Sequence, residues 1–228
     1  TVYTQGQGLA GIDMSDSGVL FVVSNSQKII LRIDTTDYNS SIYAGVENQE
    51  DTLDGDFSSA KFTSPDGIVI DKNNDIIYVS ERDGQTIRKL HNGNVTTLAG
   101  VKRKTGSTNG NGINSRFNYP YDLTVDSIGN VFVADTDNQL IRKITPNGTV
   151  SSFAGISNTK GSTDGNVNVA RFYKPSGIAI DKQDNLYVVE QEVHTIRKIK
   201  VGSDNHTYQE IFRGSTQHTV TEGNNTLN

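Results

Sequence analysis

The sequence predicts an all-β fold made of four repeated four-stranded units, and three observations lead to this prediction. A unit of about 55 residues recurs, with its clearest copies marked by PDGIVID (65–71), PYDLTVD (120–126) and PSGIAID (175–181). Each unit contains four short runs rich in Val, Ile, Leu, Phe and Tyr, separated by Gly, Asn and Asp, which is the pattern of strands and turns. No segment shows a sustained helical period. Repetition at this period is typical of solenoids, propellers and arrays.

The four runs of each unit have distinct characters, which assign each predicted strand a place in its sheet. The first run is small and aliphatic, as expected for a strand crowded at a central axis, and its weaker first copy is GIDMS (11–15). The second run carries an aromatic residue next to Val and suits packing between sheets. Its copies are VLFVV (19–23), DIIYVSE (75–81), NVFVAD (130–135) and NLYVVE (185–190).

The third run is basic and the fourth ends in Ala-Gly. The third-run copies are ILRI (30–33), TIRKL (86–90), LIRKI (140–144) and TIRKI (195–199). The fourth-run copies are IYAG (42–45), VTTLAG (95–100), VSSFAG (150–155) and the degenerate EIFRG (210–214). Turn residues between the runs predict antiparallel hairpins.

Four-stranded antiparallel units without helices predict the blades of a β-propeller, because a single blade cannot bury both of its faces. The whole chain, 1–228, is then one domain, with units at about 8–62, 63–117, 118–172 and 173–228. Four blades can close only with strongly twisted sheets. The sequence is therefore consistent with a four-bladed propeller and with part of a larger propeller or assembly.

Composition narrows the function classes. The net charge of −5 gives no overall positive field that would attract nucleic acid. The sequence also contains no run of about 18 apolar residues, the length needed to span a membrane. The chain has no cysteine, and its four histidines have no metal-site spacing. We therefore expect no metal and no cofactor. Asp71, Asp126 and Asp181 end the first runs directly before turns, where we expect them to cap their own backbone.

The repeat resembles the NHL repeat family in its order of Arg-Phe, Pro-X-Gly-Ile, Ile-Arg-Lys-Ile and Ala-Gly. Its long connectors resemble the Ala-Gly…Asp-Gly…Arg-Phe variant of that family: AGVENQEDTLDGDFSSAKF (44–62), AGVKRKTGSTNGNGINSRF (99–117) and AGISNTKGSTDGNVNVARF (154–172). The resemblance implies a β-propeller used mostly as a binding scaffold, although related propellers include lyases and lactonases. Unit one departs from the pattern at Leu9, Ser15 and Ser24.

An acid at the end of the second run and an arginine in the third recur seven residues apart. The pairs are Glu81/Arg88, Asp135/Arg142 and Glu190/Arg197. Because an active site is normally asymmetric, repetition favours a structural ion pair within each blade over a ring of catalytic groups.

The connectors differ most in charge. The first is acidic, with Glu47, Glu50 and Asp51, whereas the second is basic, with Lys102, Arg103 and Lys104. Equivalent loops lie along one rim of a propeller, so these residues are candidates for binding a partner or a second copy of the chain.

Function is expected to be that of a non-enzymatic scaffold, outside the cell or at its surface, that presents connectors and channel rim to a protein or glycan. Two alternatives stay open: a metal-dependent lyase or lactonase, and a carbohydrate-binding propeller that uses Tyr38, Tyr119 and Tyr173. Candidate N-glycosylation sites are Asn39, Asn94, Asn147, Asn205 and Asn224.

Overall fold

Four antiparallel sheets, one for each unit, form a ring around a central channel in a computed structural model that describes residues 8–201 and 208–213. The chain is nearly all β, and the predicted fold class, a β-propeller of four blades, is confirmed. Two single 3₁₀ turns, Gly112–Asn114 and Thr136–Asn138, are the helical segments of the described part.

The strands follow the predicted runs closely. Blade 1 contains β1 (Leu9–Met14), β2 (Val19–Ser24), β3 (Ile29–Asp34) and β4 (Ser40–Ala44). Blade 2 contains β5 (Gly55–Asp56), β6 (Pro65–Asp71), β7 (Ile76–Glu81), β8 (Thr86–His91) and β9 (Asn94–Gly100). Blade 3 contains β10 (Gly110–Asn111), β11 (Pro120–Val125), β12 (Val131–Asp135), β13 (Leu140–Ile144) and β14 (Thr149–Ala154). Blade 4 contains β15 (Pro175–Ile180), β16 (Leu186–Glu190), β17 (Thr195–Val201) and β18 (Tyr208–Arg213).

Blades 2 and 3 have a short fifth strand that the repeat pattern did not predict. The connector before each blade places β5 against β9 and β10 against β14, at the outer edge of the sheet. These two-residue strands contain the Gly of the Asp-Gly and Asn-Gly turns, whose side-chain-free backbone can approach the edge closely. The connectors thus cover the edges of the blades that follow them.

The innermost strand of every blade has the same irregularity. Its pairing with the second strand shifts register between Leu9 and Ile12, and at the equivalent places in β6, β11 and β15. A bulge of this kind leaves two residues outside the ladder and bends the strand. The bulges place four equivalent residue pairs at one mouth of the channel.

Hydrophobic clusters fill the spaces between consecutive blades. Between blades 1 and 2, for example, Phe21, Val23 and Ile30 pack against Ile68 and Ile70, all of them buried. Corresponding clusters join blade 2 to blade 3 and blade 3 to blade 4. The inner strands contact one another in chain order: β1 with β6, β6 with β11, and β11 with β15. Within the described residues, β15 makes no comparable contact with β1.

No helix in the described part of the chain is long and apolar enough to span a bilayer.

Candidate functional site

The repeated acid–arginine pairs lie inside the blades, with both partners of each pair fully buried. The Arg88 guanidinium lies 3.2 Å from the Glu81 carboxylate, and the corresponding distances are 2.8 Å for Arg142–Asp135 and 2.9 Å for Arg197–Glu190. Burial raises the pKa of Asp135 to about 6, while the Arg142 guanidinium and the amides of Asn118 and Asn138 oppose this rise. At neutral pH the carboxylate is therefore ionised and paired.

Each buried arginine also holds the connector in place. Arg142 donates to the carbonyl oxygens of Thr108 and Arg116, to Oδ1 of Asn109, and lies over the Phe117 ring at 5.2 Å. Arg88 and Arg197 make the same contacts around Phe62 and Phe172. We call Arg88, Arg142 and Arg197, with their connector contacts, the arginine clamps. In blades 2, 3 and 4 they have a structural role, because each ties the connector to its blade.

Blade 1 lacks both members of the pair. Ser24 stands where the others have the acid, and the strand register places Leu31, also buried, where the others have arginine. The ion pair is thus absent as a unit, which avoids leaving one buried charge alone.

The charged connectors neutralise each other within the molecule. Lys102 pairs with Asp51, and Arg103 lies 2.8 Å from Glu50, across neighbouring connectors. Glu47 accepts a hydrogen bond of 2.6 Å from Gln27. These contacts account for the opposite charges of Lys102, Arg103, Glu50 and Asp51 without a binding partner, although all three cations, Lys104 included, are exposed.

Three of the five candidate glycosylation sites are described, and all three are exposed. Asn39, Asn94 and Asn147 lie in or beside the β3–β4, β8–β9 and β13–β14 hairpins of blades 1, 2 and 3. Asn205 and Asn224 lie outside the described residues. Exposure makes the three accessible to a glycosyltransferase, and glycosylation stays a prediction.

The carboxylates that end the inner strands are engaged in their own turns, as the sequence predicts. Asp71, Asp126 and Asp181 each accept a backbone N–H two residues further on, at 2.9–3.1 Å. They lie near a wide cavity of about 680 Å³ at the channel mouth away from the connectors, to which Asp71 and Asp126 contribute. No group of three or more metal-ligating side chains occurs in the part of the chain that the structure describes.

The opposite, connector-side mouth is a smaller cavity of about 240 Å³, and the bulges of all four inner strands form it. Its lining consists of Ala10, Gly11, Asp66, Gly67, Tyr121, Asp122, Ser176 and Gly177. We call this cavity, together with the adjacent Arg82, the mouth site.

The mouth site is where the four repeats differ from one another in chemistry. The second bulge residue is Gly in blades 1, 2 and 4 and Asp122 in blade 3. The first bulge residue differs in every blade: from blade 1 to blade 4 it is Ala10, Asp66, Tyr121 and Ser176. Arg82 lies 3.3 Å from the Asp66 carboxylate and 5.9 Å from the centre of the Tyr121 ring. A carboxylate, a guanidinium and a partly exposed phenol ring are thus brought together at one point of the channel.

Asp66 is buried, and its Oδ2 has no hydrogen-bond partner because the contact with Arg82 is poorly aligned. Burial raises the pKa of Asp66 to about 6, and the nearby Arg82 offsets only part of this rise. The group is therefore poised to change charge just below neutral pH.

We expect the Asp66 carboxyl to titrate near pH 6 when followed by NMR. The folded-state pKa of about 6 exceeds the ordinary value of 3.8. Between these two pH values the folded protein keeps the Asp66 proton and the unfolded chain has lost it. Stability relative to Asp66→Asn should then fall by about 2–3 kcal/mol as the pH rises from about 4 to about 6. An Asp66 pKa below 4, or parallel stability curves for the two proteins, would contradict this assignment.

Asp122 joins blades as well as lining the cavity. Its carboxylate accepts the backbone N–H of Leu123 at 2.9 Å and that of Ile178, in blade 4, at 3.0 Å. Burial raises its pKa, and the two N–H donors work against this. Gly67 of blade 2 packs directly on Asp122, where an added Cβ would lie 2.8 Å from the Asp122 Cα. These contacts fix the position of the neighbouring Tyr121.

Sequence reasoning did not single out the mouth site. Tyr38, Tyr119 and Tyr173, the aromatic candidates taken from the loops, do not line this cavity, and Tyr121 does. A usable signal was present in PYDLTVD, where Asp122 replaces the Gly of the repeat.

Known proteins share this architecture. No protein-family model matches the sequence. The chain is 26% identical over 194 residues to NHL repeat-containing protein 2 of Homo sapiens, a match that covers 79% of this chain and 26% of the human protein. The chain therefore spans about a quarter of the length of that relative and of its Bos taurus counterpart.

Solved structures agree in fold at low sequence identity. An auxiliary nutrient binding protein from Bacteroides thetaiotaomicron has a TM-score of 0.67 at 18% identity, with 93% of this chain and 49% of that chain covered. Streptogramin B lyase has a TM-score of 0.61 at 17% identity, with 91% of this chain and 56% of the lyase covered. Together with the ring of four sheets, these similarities identify the chain as a four-bladed β-propeller, and its repeats are similar to those of NHL repeat-containing protein 2.

Proposed function

We propose that this propeller is a non-enzymatic binding module and that the mouth site holds a sugar residue of a glycan. The observation that carries the proposal is the gathering of the non-repeated residues Asp66, Arg82, Tyr121 and Asp122 around one cavity. Four bulges of the same backbone form this cavity, and Asp122 also joins blade 3 to blade 4. The other blades place Ala or Ser where Asp66 and Tyr121 stand, so these two side chains are the ones that give the cavity its particular chemistry.

The chemistry of the mouth site suits a polyhydroxylated ligand. The Tyr121 ring is 38% exposed and provides an apolar face on which a sugar ring can lie, while carboxylates and the Ser176 hydroxyl provide hydrogen-bond partners. A cavity of about 240 Å³ is smaller than the roughly 300–1,000 Å³ of sites for drug-sized ligands. One sugar residue, with the rest of the glycan running over the connectors, matches this size.

Rigidity of the mouth site favours binding as the function. The cavity wall is backbone of the inner strands, held by inter-blade hydrogen bonds such as Ser80 Oγ to the Tyr121 carbonyl at 2.7 Å. A preformed site loses little conformational entropy when a ligand binds. Similarity to the bacterial nutrient-binding propeller supports a binding role of this kind.

The proposal is tested by screening the purified chain on a glycan array and measuring hits by calorimetry. We expect Tyr121→Ala to weaken binding of a hit about 10-fold, taking as a guide the about 1–3 kcal/mol that a nucleobase gains by stacking on an aromatic side chain. Tyr38→Ala, which removes an exposed tyrosine that does not line the cavity, is the matched control and should bind like the unaltered protein. Equal loss in both variants, or an array without hits, would count against the mouth site.

An enzymatic alternative is favoured by the similarity to streptogramin B lyase. In that case the mouth site or the wide cavity would hold a divalent cation beside a substrate. Metal analysis of the purified protein distinguishes the two functions. A stoichiometric, tightly bound divalent ion would support the enzyme, and its absence would support the binding module.

Location outside the cell or at its surface is part of the proposal. It rests on the exposed Asn39, Asn94 and Asn147. Intact mass of the protein purified from its natural source tests it, since each occupied site adds the mass of a glycan.

A further inference from the structure

The last blade presents an uncovered apolar surface that is buried in every other blade. Val189 and Ile196 are 43% and 55% exposed. The residues in equivalent places of β7 and β8, Ser80 and Ile87, are both 0% exposed, as are Ala134 and Ile141 of blade 3. Val189 and Ile196 lie on the side of blade 4 that corresponds to the side by which each other blade packs on the next one, and we call them the donor face.

The first blade presents the complementary surface. Ile12 and Met14 of β1 are 58% and 47% exposed. Their equivalents in β6, Ile68 and Ile70, are both 5% exposed because side chains of β2 and β3 in blade 1 pack on them. We call Ile12 and Met14 the acceptor face.

Three junctions inside the chain show how a donor face meets an acceptor face. The inner and second strands of one blade pack on the inner strand of the next, as β1 and β2 do on β6, β6 and β7 on β11, and β11 and β12 on β15. Gly67 follows this pattern, since an added Cβ would meet Asp122 of the next blade at 2.8 Å. At Gly177 the added Cβ would meet Val189 of its own blade at 3.6 Å and nothing of blade 1.

Hydrogen-bonding groups repeat across the junctions as well. Thr136 donates to the Pro175 carbonyl at 2.7 Å, and Gln139 accepts the Lys174 N–H at 2.7 Å. Blade 4 has Gln191 and His194 at the equivalent places, and both are exposed. Leu9 carries the carbonyl equivalent to that of Pro175, so blade 1 has the matching acceptor.

We propose that the donor face of one chain packs on the acceptor face of a second copy of the same chain. Both halves of the junction are present on this molecule and match the internal junctions in apolar positions and in hydrogen-bonding groups. A second copy therefore supplies what each face lacks and continues an interface that the chain already makes three times. The contact is head-to-tail, so two copies close into a ring when each donor face reaches the other copy's acceptor face, and they form a chain of copies otherwise.

The test measures the native mass of the full chain by analytical ultracentrifugation over a range of concentrations. We expect dimers or a ladder of higher multiples of 24.8 kDa. Ile196→Glu disables the donor face and Ile12→Glu the acceptor face, because each buries an unpaired carboxylate in the junction. Each variant alone should be monomeric, with a dissociation constant raised at least about 100-fold.

Mixing the two variants provides the decisive readout. Ile196→Glu retains its acceptor face and Ile12→Glu its donor face, so a 1:1 mixture can form one intact junction and should give a dimer and nothing larger. Ile128→Glu, at an exposed position in a hairpin away from both faces, is the control and should assemble like the unaltered chain. Circular dichroism verifies that all three variants are folded.

Three results would overturn the proposal. They are a monomeric unaltered chain at all concentrations, a mixture that stays monomeric, and assembly that Ile128→Glu disrupts as strongly as the face variants. A monomer in which hydrogen exchange shows the Ile196 region to be protected would mean that the two faces meet within one chain. Since no step of the test involves the mouth site, failure here leaves the proposed binding function untouched.

Discussion

Arg142→Leu should lower the free energy of unfolding by about 3–5 kcal/mol, the range observed when one partner of a buried ion pair is removed. The substitution leaves the Asp135 carboxylate buried without its cation and also releases the connector carbonyls of Thr108 and Arg116. Because the chain has no tryptophan to report by fluorescence, urea denaturation followed by far-UV circular dichroism measures the loss in unfolding free energy. The Arg142 guanidinium lowers the Asp135 pKa, so the variant takes up this proton at a higher pH than the unaltered protein, whose Asp135 pKa is about 6. The deficit should therefore shrink as the pH falls towards about 6 and level off below it, where both proteins carry the proton.

Blade 1 indicates how the defect can be repaired. Ser24 and Leu31 occupy the two places of the pair there, and both are buried. The double variant Asp135→Ser/Arg142→Leu should therefore be more stable than Arg142→Leu alone, since no charge is left unpaired. Arg32→Leu, at a surface position of β3, is the control and should change stability by no more than about 0.5 kcal/mol. A double variant less stable than the single one would show that the clamp matters more than the charge balance.

Gly100→Ala should be the second most damaging substitution, with a loss of about 2–5 kcal/mol. Gly100 has φ of +91°, and an added Cβ would overlap the Gln85 carbonyl oxygen and lie 3.1 Å from the Phe117 ring. Left-handed backbone costs a residue with a Cβ about 1–2 kcal/mol, and overpacking adds about 1–3 kcal/mol. The Ala-Gly signature of the repeat has this physical cause, and Gly45 and Gly155 are held in the same way.

Gly93→Ala separates the two contributions. Gly93 also has a positive φ, +77°, but no atom lies within 4 Å of an added Cβ. It should therefore lose only the conformational part, about 1–2 kcal/mol. Thermal denaturation of the two variants side by side gives the comparison, and equal losses would mean that packing at Gly100 relaxes freely.

The sequence was sufficient for the blades because each strand type repeats with its own chemistry. The alternation in NVFVAD and the arginine of LIRKI place their residues inside or outside a sheet without knowledge of the rest of the fold. The acid–arginine pairs were predictable for the same reason, since their seven-residue spacing spans one hairpin.

Contacts between distant units were not predictable in this way. The pairing of Arg103 with Glu50 joins residues 53 positions apart, and the order of the connectors around the rim decides whether such charges meet. The mouth site depends on four bulges that converge from four units. The exposed donor and acceptor faces depend on how far the blades turn around the axis, which no single repeat encodes.

The arginine clamps divide each connector into two parts with different freedom to change. Arg88 binds the carbonyls of Leu53 and Lys61, so the second half of the first connector is tied to the blade, and residues 46–52 lie outside the clamp. The equivalent stretches, VENQEDT, VKRKTGS and ISNTKGS, have different charges on the same frame. Replacement of the charged side chains of these stretches alone should leave the propeller intact, which makes this rim a surface where new specificities can evolve or be grafted.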